Sequence, residues 1–137
     1  MLCCEDEVFE QFEQVCLMVA VVKGWHHHKR QTDIFIPVNA MLKLVFYDSQ
    51  EDSPTYGEIN QFVIGERNPM LVTIPPGGVH GFKAIGIKPA YLINVLTEPN
   101  NYQEPDEFRI PPNDPSIPYD WSLREGSLDN GKGEWRP

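Results

Sequence analysis

The chain has 137 residues and a formal net charge of -9, enough for one domain with a buried core and too short for two of ordinary size. The acidic balance excludes binding to nucleic acid or an anionic membrane through bulk charge, because a phosphate lattice repels such a protein; any anionic ligand must meet a local basic cluster. Cys3, Cys4 and Cys16 form an odd count at no metal-ligand spacing, so reduced thiols in a cytoplasmic protein are expected.

The start, "MLCCEDE", lacks the basic region of a secretory signal, and "EDEVFEQFEQV" offers a helical turn or two. The longest apolar run, "VCLMVAVV", is too short to cross a bilayer. Strands are predicted over Val15 to Val22, Ile34 to Val38, Met41 to Tyr47, Glu58 to Ile64, Met70 to Ile74, Gly81 to Ile85 and Ala90 to Leu96. These runs are rich in Val, Ile, Leu and Phe, and turn formers such as "DSQEDSPTYG", "GERNP", "PPGG" and "GIKP" divide them. Closely spaced strands without helical periodicity between them indicate an all-β antiparallel sandwich or barrel, over about residues 15–98. From residue 99 to 121 the prolines of "EPNNYQEPDEFRIPPNDPSIPYDW" forbid central strands and suit an extended strap, with Tyr102, Phe108, Tyr119 and Trp121 as its anchors. Residues 122–137 read as a polar tail.

The chemistry concentrates in "KGWHHHKRQTD". On a strand, residues two apart share a face, so His26 and His28 point one way and His27 the other. Asp33 follows after four residues, and "IPPGGVH" brings His80 in behind a turn. Such a set can ligate a divalent ion or move a proton, since imidazole is the side chain whose ordinary pKa lies near neutrality.

The H-x-H-x4-acid pattern with a distant P-x-G-x-x-H resembles the two cupin motifs. Ala40 stands where the first motif usually ends in glycine, Asp33 where it has glutamate, and Ala84 where the second has asparagine. Four segments, "VVKGWHHHK", "EDSPTYGEI", "IPPGGVHGF" and "NDPSIPYDW", resemble in that order the dTDP-4-dehydrorhamnose 3,5-epimerase family of sugar-nucleotide cupins, over roughly residues 21–121. The resemblance implies a jelly-roll homodimer that binds a dTDP-4-keto-6-deoxyhexose and epimerises it without a metal or other cofactor. It implies His26 as the base that removes a proton beside the ketone, with Asp114 as its partner. The family's tyrosine acid falls at Ile93, and Tyr91, two residues earlier on the same face, is the available substitute. Nothing in the first fifteen residues matches the family's Asp-x-Arg-Gly-type motif, so ligand binding is expected to rest on Lys23, His28, Lys29, Arg30 and His80. Two other readings stand beside this one: a metal-dependent cupin enzyme using His26, His28 and His80, with Asp33 as a further donor, and a non-catalytic module that only binds a sugar nucleotide.

Overall fold

The computed structural model describes residues 14–20 and 22–122, which form nine strands and, among these residues, no helix. The strands are β1 (Gln14–Ala20), β2 (Val22–His27), β3 (Asp33–Asn39), β4 (Met41–Tyr47), β5 (Ile59–Gly65), β6 (Val72–Ile74), β7 (Val79–Ile85), β8 (Ala90–Leu96) and β9 (Phe108–Arg109). They build two antiparallel sheets, one ordered β1-β8-β3-β6 and the other β5-β4-β7-β2-β9. This is the all-β jelly roll expected. The expected helical turn lies mostly outside the described residues, and Gln14 and Val15 are strand. The apolar run expected as one strand over Val15 to Val22 is divided: β1 runs beside β8 and β2 beside β7, in opposite sheets. No Gly or Pro interrupts that run, so nothing in the sequence marks the crossing.

Alternation decides what each strand buries. Phe35, Leu42, Leu44, Ile64, Ile74, Phe82 and Leu92 point between the sheets and form the principal core. The opposite face of the second sheet is not left to solvent: Trp25 and Val45 pack there against Ile117 and Trp121 from the proline-rich segment, with Tyr119 beside them. Gly81 is required for this, because a Cβ there would come within 2.7 Å of the Trp121 ring and 2.9 Å of the Lys23 carbonyl. Of the other expected anchors, Phe108 stacks on His27 at 5.2 Å, whereas Tyr102 is exposed.

The chain passes from β3 in one sheet to β4 in the other through a single residue, Ala40, at φ 52°. A Cβ is disfavoured in that left-handed conformation, which explains why glycine is usual there in the motif. Ala40→Gly should relieve roughly 1–2 kcal/mol of backbone strain against about 0.8 kcal/mol for the lost buried methyl. Urea unfolding is therefore expected to show an unchanged or raised midpoint. A clear loss of stability contradicts this account of the corner.

Candidate active site

At one end of the interior the core turns polar. His26 and His80 are paired across β2 and β7, their ring centroids 4.0 Å apart. Asp33 enters from the facing sheet as the first residue of β3, and His28 sits in the loop between. All four are buried, and their candidate donor atoms lie within 4.8 Å of one another. His27 points away, as the alternation requires.

Each inward imidazole is held from behind. His26 Nδ1 faces the Gly24 carbonyl at 3.3 Å, His80 Nδ1 faces the Gly78 carbonyl at 2.9 Å, and His28 Nδ1 faces the Asp106 carbonyl. A carbonyl oxygen only accepts, so these nitrogens donate and each Nε2 is turned inward. There Asp33 Oδ2 lies 3.2 Å from His28 Nε2 and 3.4 Å from His80 Nε2. Its other oxygen accepts from the Gln31 amide at 2.6 Å.

The electrostatics follow from this packing. Burial, then the proximity of His80 and Lys23, pushes the His26 pKa down to about 2, so its ring is neutral. Burial also disfavours charge on His28, but Asp33 and the Asp106 carbonyl outweigh it, and its pKa lies above the ordinary value. For Asp33 the burial penalty is overcome by the His28 and His80 rings and by Gln31, holding the carboxyl well below the usual range. The pocket thus favours positive charge around Asp33.

The loop that carries His28 is organised by Asp106, whose carboxylate accepts the backbone N–H groups of Lys29, Arg30 and Gln31 at 3.0, 2.8 and 3.0 Å. These three donors outweigh partial burial and lower its pKa. A cavity of about 130 Å³ opens beside His28 and is lined by Gln31, Arg30, Glu98, Asp106 and Glu107 among others.

The family model described as dTDP-4-dehydrorhamnose 3,5-epimerase matches residues 3–134. The chain belongs to the dTDP-4-dehydrorhamnose 3,5-epimerase family. It is 48% identical over 103 residues to the "Probable low-salt glycan biosynthesis epimerase" of Haloferax volcanii, a match covering 74% of this chain and 66% of that protein, about two thirds of its length. It is 39% identical to a spore coat polysaccharide biosynthesis protein of Bacillus subtilis, over 86% of this chain and 80% of that one. Among solved structures, the dTDP sugar isomerase of Desulfovibrio desulfuricans G20 superposes with a TM-score of 0.80 at 32% identity, covering 88% of this chain and 78% of that one.

Within this dTDP-4-dehydrorhamnose 3,5-epimerase family member, the expected site residues divide into two groups. His26, His28 and His80 come together, with Asp33. Asp114 does not join them: it is half-buried in the proline-rich segment, and its carboxylate accepts from the Ser116 N–H at 2.9 Å and hydroxyl at 2.5 Å, a turn that the proline-rich context favours. Instead of a carboxylate, His26 Nδ1 meets the Gly24 carbonyl. Tyr91 and Ile93 alternate with Leu92, which is buried between the sheets, so both lie on the outer face of β8. The inward neighbour of Leu92 is Asn94, buried and with no hydrogen bond to its Oδ1. The basic residues expected to meet a diphosphate already have partners: Lys23 pairs with Glu107 at 3.3 Å, Arg30 with Glu98 at 3.2 Å, and the Lys29 ammonium lies 4.5 Å from the centre of the Phe108 ring.

Sequence reasoning missed Gln31, Asn94 and Asp106. The first two are ordinary polar residues inside predicted turns and strands, and no local pattern links Asp106 to a loop more than seventy residues earlier. Asp106→Ala is expected to speed amide exchange of Lys29, Arg30 and Gln31 by about tenfold or more, the equivalent of one hydrogen bond each. Glu104→Ala is the control and should leave those amides unchanged. Equal exchange in Asp106→Ala and the parent chain contradicts the role given to Asp106.

Proposed function

We propose that this chain is a nucleotide-sugar epimerase or isomerase that acts on a dTDP-4-keto-6-deoxyhexose by removing a proton beside the ketone, with His26 as the base. The observation that carries this reading is the His26 ring: buried, neutral, fixed at Nδ1 by Gly24, and within the residues that the family model matches. Only a neutral imidazole can take a proton. A depressed pKa makes it a weak base until an enolate forms beside it, when the new negative charge stabilises the imidazolium.

The departures on β8 bear on the outcome. The inward side chain is the amide of Asn94, which cannot hand over a proton as a phenol does. Removal of the proton should then be faster than its return to the opposite face. In heavy water, dTDP-4-keto-6-deoxyglucose is expected to take up deuterium next to C4 faster than any epimer accumulates, as followed by NMR. His26→Ala should lower that exchange by about a hundredfold or more. Exchange that is equally slow with the parent protein and His26→Ala would favour the non-catalytic binding module instead.

The reading includes a homodimer. On the outer face of the first sheet Val15, Leu17 and Val38 are 52%, 68% and 52% exposed, next to Tyr91 and Ile93 on β8, an apolar surface of the kind that pairs with a copy of itself. Light scattering should give twice the chain mass for the parent protein and a monomer for Leu17→Glu. A monomeric parent protein at micromolar concentration removes this part of the proposal.

A further inference from the structure

The geometry points to a site for one divalent transition-metal ion, ligated by His28, Asp33 and His80, with His26 next to them. The epimerase resemblance implies no metal; four features of the interior argue for one.

The first is the orientation of the rings. With Nδ1 of His28 and His80 donating to the carbonyls of Asp106 and Gly78, the neutral rings direct Nε2 lone pairs at Asp33 Oδ2. The Gln31 amide, 3.5 Å from His28 Nε2, also treats that nitrogen as an acceptor. Lone pairs aimed at a buried carboxylate repel it unless a positive charge lies among them. One proton can satisfy one of these contacts, whereas one ion satisfies all of them.

Second, the buried oxygen is not otherwise used. Asp33 is 0% exposed, Oδ1 is taken by Gln31, and neither Oδ2 nor His80 Nε2 makes a hydrogen bond. Such atoms deep in a protein are costly and ordinarily have a partner.

Third, the spacing is that of ligands on one centre. Bonds of ~2.0–2.1 Å in a tetrahedral arrangement place neighbouring donors about 3.3–3.4 Å apart; the observed separations are 3.2 and 3.4 Å. The donor set also selects the class of ion. Two imidazoles and a carboxylate suit zinc, iron or manganese, whereas magnesium and calcium prefer oxygen throughout.

Fourth, the histidines carry the outer support that metal-bound imidazoles usually have, a carbonyl on the far ring nitrogen.

This site deepens the epimerase reading and rests on it in one respect only. An ion held there would polarise a ketone bound beside it and make the neighbouring hydrogen more acidic, within reach of a base as weak as His26. Occupancy itself does not depend on that reaction, and so it is measured without any sugar nucleotide.

The test uses the full chain, stripped with a chelator and titrated with Zn2+ by calorimetry and with Co2+ by visible absorption. The expected result is one ion per chain, a Co2+ spectrum with nitrogen and oxygen ligation, and a melting temperature that rises with Zn2+. Asp33→Asn and His28→Ala should each weaken Zn2+ by about a hundredfold or more, while His27→Ala, whose ring points outward, should bind as the parent does. Circular dichroism checks that the variants are folded. Should either fail to fold, the Co2+ spectrum of the parent decides through the ligation it reports. No saturable binding, binding equally strong in Asp33→Asn and His28→Ala, or a spectrum dominated by thiolate from the cysteines overturns the proposal.

Discussion

The interior depends on Asp33, a carboxylate with no exposure to solvent. A charge in that position is tolerated only where hydrogen bonds and opposite charge surround it, and the neighbouring residues are arranged accordingly. Gln31 takes one oxygen, His28 and His80 converge on the other, and the carbonyls of Asp106 and Gly78 hold those rings at their far nitrogens. Because Asp33 comes from one sheet and His80 from the other, the same group joins the two layers at the end where the apolar core stops.

The fold makes this arrangement affordable. The hydrophobic interior from Phe35 to Leu92 lies between the sheets, and the outer cluster of Trp25, Val45, Ile117 and Trp121 packs the proline-rich segment onto β2 and β4. His26 inherits a rigid setting from both sides. It stays neutral because burial and the nearby positive character of Lys23 oppose a proton on it, while His28 a few ångströms away is driven in the opposite direction by Asp33. Two imidazoles two residues apart are thereby given opposite electrostatic environments, one that keeps its ring neutral and one suited to bear or bind positive charge.

Much of this was legible in the sequence. The strand runs, their turns and the jelly-roll class could be read from apolar patterning, and the shared face of His26 and His28 from a period of two. What escaped has physical causes. The alternation of β8 was readable, but not which face turned inward, because Ala90, Leu92, Ile93 and Val95 make both faces apolar; the inward amide of Asn94 was hidden by that symmetry. The division of the first apolar run had no turn residue to announce it. Asp106 acts across more than seventy residues, and Asp114 satisfies its carboxylate locally with Ser116, so neither placement is available to reasoning from neighbours in the chain. Asp33 was visible as a donor beside the histidines, yet its burial, which gives it its role, belongs to the packing of two sheets.

In the function proposed, the proton beside the ketone is removed at His26, at the interior end of the jelly roll. The most direct measurement is the crystal structure of the protein with a bound dTDP-hexose. The hexose is expected between the two sheets, with a carbon next to the 4-position about 3–3.5 Å from His26 Nε2, the separation at which a proton can be taken. A hexose seated outside the sheets, with His26 walled off behind the core, would contradict it.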